Sequence, residues 1–288
     1  MLALSVANER GGIVMATIAQ EFPNREQTPD LLSGTPRAHA TDRWIFVFMA
    51  AWFIFVVLVG FIPDAIGKVQ AVQAGLRPPF PIVLHMHAVA MGSFLLLLLA
   101  QTVMVATGRE TLHKQVGIAA FVLVPALVVI GIALAPTMYY QTWEALQVAP
   151  ASARGTLQQV LYIREDVLLL QISAGVLFAI FIWIALSARV KNSDLHKRMM
   201  FLATAVPLGA SIDRMDWLPS SLPTNPWATD LWIIVALAPM LVWDVARNRK
   251  VHEAYWIWLA IYVPACLAVD FLWEKPAWHA TARYILRV

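Results

Sequence analysis

The chain has 288 residues, 60% of them hydrophobic and only 14% charged. A soluble domain carries roughly 25% charged residues, so a water-facing globule of this size is excluded. The net charge of +3 is small, no basic stretch is interleaved with aromatics as in nucleic-acid binders, and the single cysteine, Cys266, excludes an internal disulfide and a CxxC metal knuckle.

Residues 1–40 are polar, contain Pro and Gly, and show no helical periodicity, so a flexible tail is expected before a transmembrane domain over 41–288. The segment before Val14 is too short in apolar length for a good signal peptide; Met1 and Met15 are both admissible starts. Apolar runs then recur at 44–62, 82–106, 116–135, 166–187, 195–212, 230–246 and 254–271. A bilayer core needs about 20 apolar residues in a helix, and backbone groups in lipid must pair internally. The expected fold is therefore an all-α integral membrane protein, a bundle of about seven transmembrane helices. Between the third and fourth runs, residues 143–161 could form an amphipathic helix lying on the membrane.

Basic residues set the expected orientation. Arg37, Arg43, Arg109, Lys114, Arg189, Lys191, Lys197, Arg198, Arg247, Arg249 and Lys250 crowd short segments on one side. That side should be cytoplasmic, with the N-terminus inside and the C-terminus outside in the cell's inner (plasma) membrane. A weak repeat follows the odd helices: His113, His196 and His252 near helix starts, each followed by a proline at 125, 207 or 264. It admits an origin in repeated helical hairpins.

Two groups of residues are candidates for chemistry. His113 and His196 each follow a candidate N-cap, Thr111 or Asp194, by two residues. A helix N-terminus favours neutral imidazole, the form a metal or haem iron binds; such rings equally suit a bond to a carbonyl of the preceding loop. The second group lies on the opposite, outer side. Helix 2 should begin near Pro81, placing His85 and His87 in its first turns, and His87 shares a face with Met91 and Gln101. Residues two apart on a helix diverge by about 200°, so His85 and His87 cannot share one ion on a regular helix. Asp166, Asp213 and His279 gather on the same side. Histidines with carboxylates suit zinc, iron or copper, with His85, His87 and His279 as ligands and Asp166 or Asp213 as catalytic base. The alternative is an ion-pair cluster in which Arg164 or Arg214 neutralises Asp166 or Asp213.

At Gly108-Arg109-Glu110-Thr111-Leu112-His113-Lys114-Gln115-Val116-Gly117 the chain resembles a group of bacterial multi-pass membrane proteins. They carry Arg-x-x-Leu-His-Arg-x-x-Gly at a helix start and a histidine in the preceding helix, here His85 or His87. The resemblance covers about residues 77–135. These proteins are distantly similar to transmembrane cytochromes of the b type, which implies a redox role with haem b. The sequence departs from that pattern in showing no evident second histidine to pair with His87 or His113. The expected function is a metal- or haem-dependent membrane oxidoreductase with an outer-face site, its partners the lipid bilayer, membrane proteins or a quinone. The alternatives are a non-catalytic accessory or assembly protein and a small-molecule transporter, the latter disfavoured by a midplane nearly empty of charge.

Overall fold

The computed structural model describes residues 30–33 and 39–288, and among these every regular element is helical. The expected tail up to residue 29, both candidate start methionines and Arg37 lie outside the described residues. The helices are α1 (Ala40–Gln73), α2 (Ile82–Ala106), α3 (Glu110–Gly117), α4 (Ala120–Val148), α5 (Ala151–Ala188), α6 (Ser193–Ala205), α7 (Gly209–Ile212), α8 (Trp227–Asn248), α9 (Glu253–Leu272) and α10 (Pro276–Leu286). Among the described residues, six stretches are long and apolar enough to cross a membrane: α1, α2, α3 with α4, α5, α8 and α9.

The seventh expected span, 195–212, is a broken helix: α6, a 3-10 turn at Val206–Leu208, then α7. Pro207 lacks the amide that would continue the ladder. Residues Met199, Phe201, Leu202, Ala203 and Ala205 are all buried. Other helices enclose the segment, so it needs no continuous lipid-facing surface.

Two boundaries differ from expectation. No separate surface helix forms over 143–161; α4 runs on to Val148 and α5 starts at Ala151. Only Ala149 and Pro150 interrupt the run, and Pro150 occupies the N-cap of α5, where a missing amide is harmless. By contrast α2 starts at Ile82 with Pro81 at its N-cap, as its proline run demands.

The helices alternate in direction. The proximal end carries the starts of α1, α3, α6 and α9; the distal end carries the start of α2, the α4–α5 connection and α10. Val122, Ile132, Trp183 and Phe271 stand exposed around the bundle, an apolar belt suited to lipid rather than water. Inside, α1 and α7 touch through backbone. A Cβ at Gly60 would lie 2.1 Å from the Ser211 carbonyl oxygen, and Ser211 Oγ donates to the Val56 carbonyl at 3.1 Å.

Candidate functional site

At the proximal end His113 and His196 each turn Nδ1 toward a backbone carbonyl of the preceding helix. His196 Nδ1 donates to the Ala185 carbonyl at 2.8 Å, near the end of α5. His113 Nδ1 stands 3.4 Å from the Gln101 carbonyl of α2. The carbonyls belong to the preceding helices rather than to loops. With Nδ1 committed as donor, Nε2 of His196 carries the lone pair, the tautomer of a metal-bound imidazole; at His113 the Gln101 side-chain amide, turned so that its nitrogen donates, lies 2.6 Å from Nδ1 and makes that atom an acceptor. The cap residues differ from expectation: Arg109 rather than Thr111 is the N-cap of α3, and Asn192 rather than Asp194 caps α6, its side chain accepting from the Leu195 amide. His252 does not follow the pattern. It is itself the N-cap of α9, and its Nδ1 accepts from the Ala254 amide at 3.1 Å. Burial, reinforced by the Arg198 charge, lowers the pKa of His252 below the ordinary histidine value.

Deeper on the same end lies a network that sequence reasoning missed. Arg198 is fully buried and donates through Nε and Nη2 to Asp244, at 2.6 and 2.8 Å. Its other edge donates to Asp30 through Nη1 at 2.8 Å and Nη2 at 3.1 Å. Asn248 Nδ2 and Lys197 Nζ also reach Asp30, at 2.9 and 2.8 Å. Burial alone would raise the Asp30 carboxyl, but Arg198 and Lys197 outweigh it and hold it far below the usual carboxylate range. Asp244 thus pairs with Arg198 and not with its sequence neighbour Arg247, which donates to buried Asp42 at 2.8 and 2.9 Å. Arg198 lay four positions inside a predicted span, and an ion at that depth needs a buried partner; that was the available signal.

At the distal end the predicted residues separate into three places. His279 is buried, its Nδ1 bonded to Glu165 Oε2 at 2.7 Å and its Nε2 3.7 Å from Asp166 Oδ1. Tyr162 stacks on the ring at 3.8 Å. Glu165 also accepts from Arg283 Nε at 2.9 Å and from the Tyr139 hydroxyl at 3.3 Å. Its bond to Arg283, more than the opposing effect of burial, raises the pKa of that guanidinium. Asp166 accepts from the Glu274 amide at 3.1 Å. These contacts fasten α10 to α5.

Asp213 lies elsewhere, accepting from the Thr229 hydroxyl and lining a cavity of about 300 Å³ with Asp216, Ser220, Leu222 and Trp232. Burial raises the Asp213 pKa, against the Thr229 hydrogen bond and the Arg214 charge. Arg214 does not ion-pair with Asp213; its Nε lies 3.2 Å from Asp64.

His85 and His87 occupy the third place. His85 meets the Phe80 ring edge-on at 6.1 Å, while His87 Nδ1 is enclosed without a hydrogen-bond partner among the described residues. Beside them the Arg77 guanidinium lies over Phe80 at 4.7 Å. Among the described residues no three His, Cys, Asp or Glu side chains group so as to hold a metal ion, so the structure does not assemble His85, His87 and His279 with carboxylates into one such site. The three histidines belong to helices joined to different neighbours, which their positions along the chain do not show. Comparisons with protein-family models, curated proteins and solved structures return no match to the chain.

Proposed function

We propose that this chain is a membrane redox protein that holds a b-type haem between His113 and His196 at the proximal end. What carries the reading is that two rings at one end of the bundle each turn Nδ1 toward a backbone carbonyl of the preceding helix, His196 with Nε2 left as ligand. Fixed tautomers of this kind orient an imidazole toward iron. One cysteine without a CxxCH sequence excludes covalent attachment, so the haem would be held by these ligands and by packing alone. When bound, haem supplies one-electron chemistry. The chain's residues contribute ligation, orientation and burial: Ala185 and Gln101 set the rings through their carbonyls. A membrane quinone or a partner protein is the fitting electron partner, and the positive-inside bias puts this end on the cytoplasmic side.

The test is an absorption spectrum of detergent-purified protein, expressed with ample haem, before and after dithionite reduction. A Soret band that sharpens on reduction is expected, lost in His113→Ala and His196→Ala while both variants stay helical by circular dichroism. Colourless wild-type protein, or a band indifferent to both substitutions, would overturn the reading.

A further inference from the structure

The cavity beside Asp213 forms where the broken membrane segment ends. There α7 stops at Ile212, and the chain turns through Asp213 and Asp216 before α8 begins at Trp227. Thr229 and Trp232, three apart on α8 and so on one face of it, line the same space. Ile212, Met215 and Thr229 are buried while Asp216 is exposed, so the cavity reaches from the bundle interior to the distal surface. Its volume of about 300 Å³ is enough for a small organic molecule.

The hydrogen-bond donors around it are largely spent. The Thr229 hydroxyl donates to Asp213, and the Trp232 indole N–H donates to the Pro219 carbonyl at 3.0 Å. The amides of Asp213, Met215 and Leu218 donate to the carbonyls of Gly209, Ile212 and Met215. Those of Leu222 and Ala228 donate to the hydroxyls of Ser220 and Ser221. No Lys, Arg or His lines the cavity. Arg214, next in sequence, is engaged by Asp64, the Ala210 carbonyl and the Phe61 ring. Acceptors, by contrast, remain open. Thr229 supplies the one side-chain hydrogen bond of Asp213, and no ion pair reaches Asp213 or Asp216 among the described residues.

A cavity rich in acceptors, poor in donors and without a cation of its own favours a ligand that brings N–H groups and positive charge. Burial disfavours ionised Asp213, and a bound cation would offset that cost. Ile212, Met215, Leu218 and Leu222 suit a short hydrocarbon body, and an indole face attracts an ammonium. The space is far larger than a bare metal ion needs, and no three His, Cys, Asp or Glu side chains group to hold one among the described residues. An amino acid or a zwitterionic lipid headgroup would bring its anionic group against the carboxylates.

We propose that this cavity binds a small organic ammonium, a primary amine on a short apolar body without an acidic group. Asp213 pairs with the ammonium, Thr229 fixes that carboxylate, and Trp232 packs on the body of the ligand. Asp216 at the surface draws the cation in. The cavity lies at the opposite end from the proposed haem and does not depend on it.

The experiment follows thermal unfolding of the full-length protein in maltoside detergent as butylammonium chloride is added, with ionic strength held constant by sodium chloride. Butanol and γ-aminobutyrate are the neutral and zwitterionic probes of matching chain length. Butylammonium should raise the melting temperature of wild type by several degrees, saturably, and neither control should equal it. Asp213→Asn keeps an acceptor for Thr229 and should lose the response. Asp216→Lys changes an exposed residue and should lose it as well, through repulsion of the incoming cation. The proposal is overturned if butylammonium protects wild type no more than sodium chloride, butanol or γ-aminobutyrate does. It is equally overturned if Asp213→Asn, or Asp216→Lys should the former not fold, responds as wild type does. The readout is stability alone, so a failed haem test leaves the outcome unaffected.

Discussion

A single committed ring nitrogen can tie a side chain's protonation to folding, as at His252. Its Nδ1 accepts the Ala254 amide, so the ring must be unprotonated there. Burial and the Arg198 charge disfavour its proton, although Asp244, Asp30 and Glu253 pull the other way. An unfolded chain would take up that proton near pH 6.5. The unfolded state therefore binds more protons than the folded one just below that pH, and stability falls as the medium is acidified through it. His252→Asn keeps an accepting cap, since Asn is among the best N-cap residues, but has nothing to titrate. Melting temperatures measured from pH 7.5 to 5.5 should decline more steeply for wild type than for His252→Asn, with a cap-sized difference of about 1 kcal/mol at the acid end. Equal slopes would mean the ring's proton is not coupled to folding.

Among elements, α10 depends on a few polar contacts. Trp278, His279, Ala282 and Leu286 are its buried residues, and Glu165 is the common acceptor for His279 and Arg283. Glu165→Ala removes two charge-assisted bonds of roughly 1.5–3 kcal/mol each. The expected result is faster amide exchange at Trp278–Arg283, by about tenfold or more, with the exchange of α5 and α9 little changed; uniform acceleration would instead place Glu165 in the global core. The limits of sequence reading also show at this scale. The span at 82–106 was legible to the residue because a proline run marks its start. The span at 116–135 was not: the helix continues to Val148 through Tyr139, Tyr140 and Gln141, past the point where lipid-like composition ends. Composition reports where hydrocarbon stops, while the hydrogen-bond ladder runs on until something interrupts it. The recurrence of His113, His196 and His252 pointed to rings near helix starts, and two of the three turn Nδ1 toward a carbonyl of the preceding helix while His252 caps its own helix. Arg198 was not legible, because a cation near a basic loop reads as a solvated charge until Asp244, on a helix far along the chain, is placed beside it.

The whole bundle is fastened at its ends more than at its middle. Proximally, Asp244 with Arg198 and Asp42 with Arg247 join α6, α8 and α1; distally, Asp64 with Arg214 joins α1 to the residues after α7. The midsection relies on packing, including the close approach at Gly60, with single indole bonds from Trp52 to the Ala236 carbonyl and from Trp258 to the Leu202 carbonyl. Asp244 is the most consequential of these residues, because both it and its partner are fully buried. Asp244→Asn leaves the guanidinium uncompensated on that edge and should cost about 3–5 kcal/mol in denaturant unfolding. Asp30→Ala should cost much less, since Arg198 keeps Asp244 without it. A reversed order would mean that the N-terminal segment, and not α8, is the main counter-ion.

Asp30 meets Arg198 and Asn248 across separations of 168 and 218 residues. During synthesis, neither partner exists when Asp30 leaves the ribosome, and Asn248 follows only after five membrane-capable stretches have begun to emerge. Docking of this first described segment is therefore a late event in biogenesis, available only to a chain whose α6 and α8 have already been inserted and brought together. A quality-control protease that recognises the undocked segment would thereby distinguish finished molecules from stalled or misinserted ones.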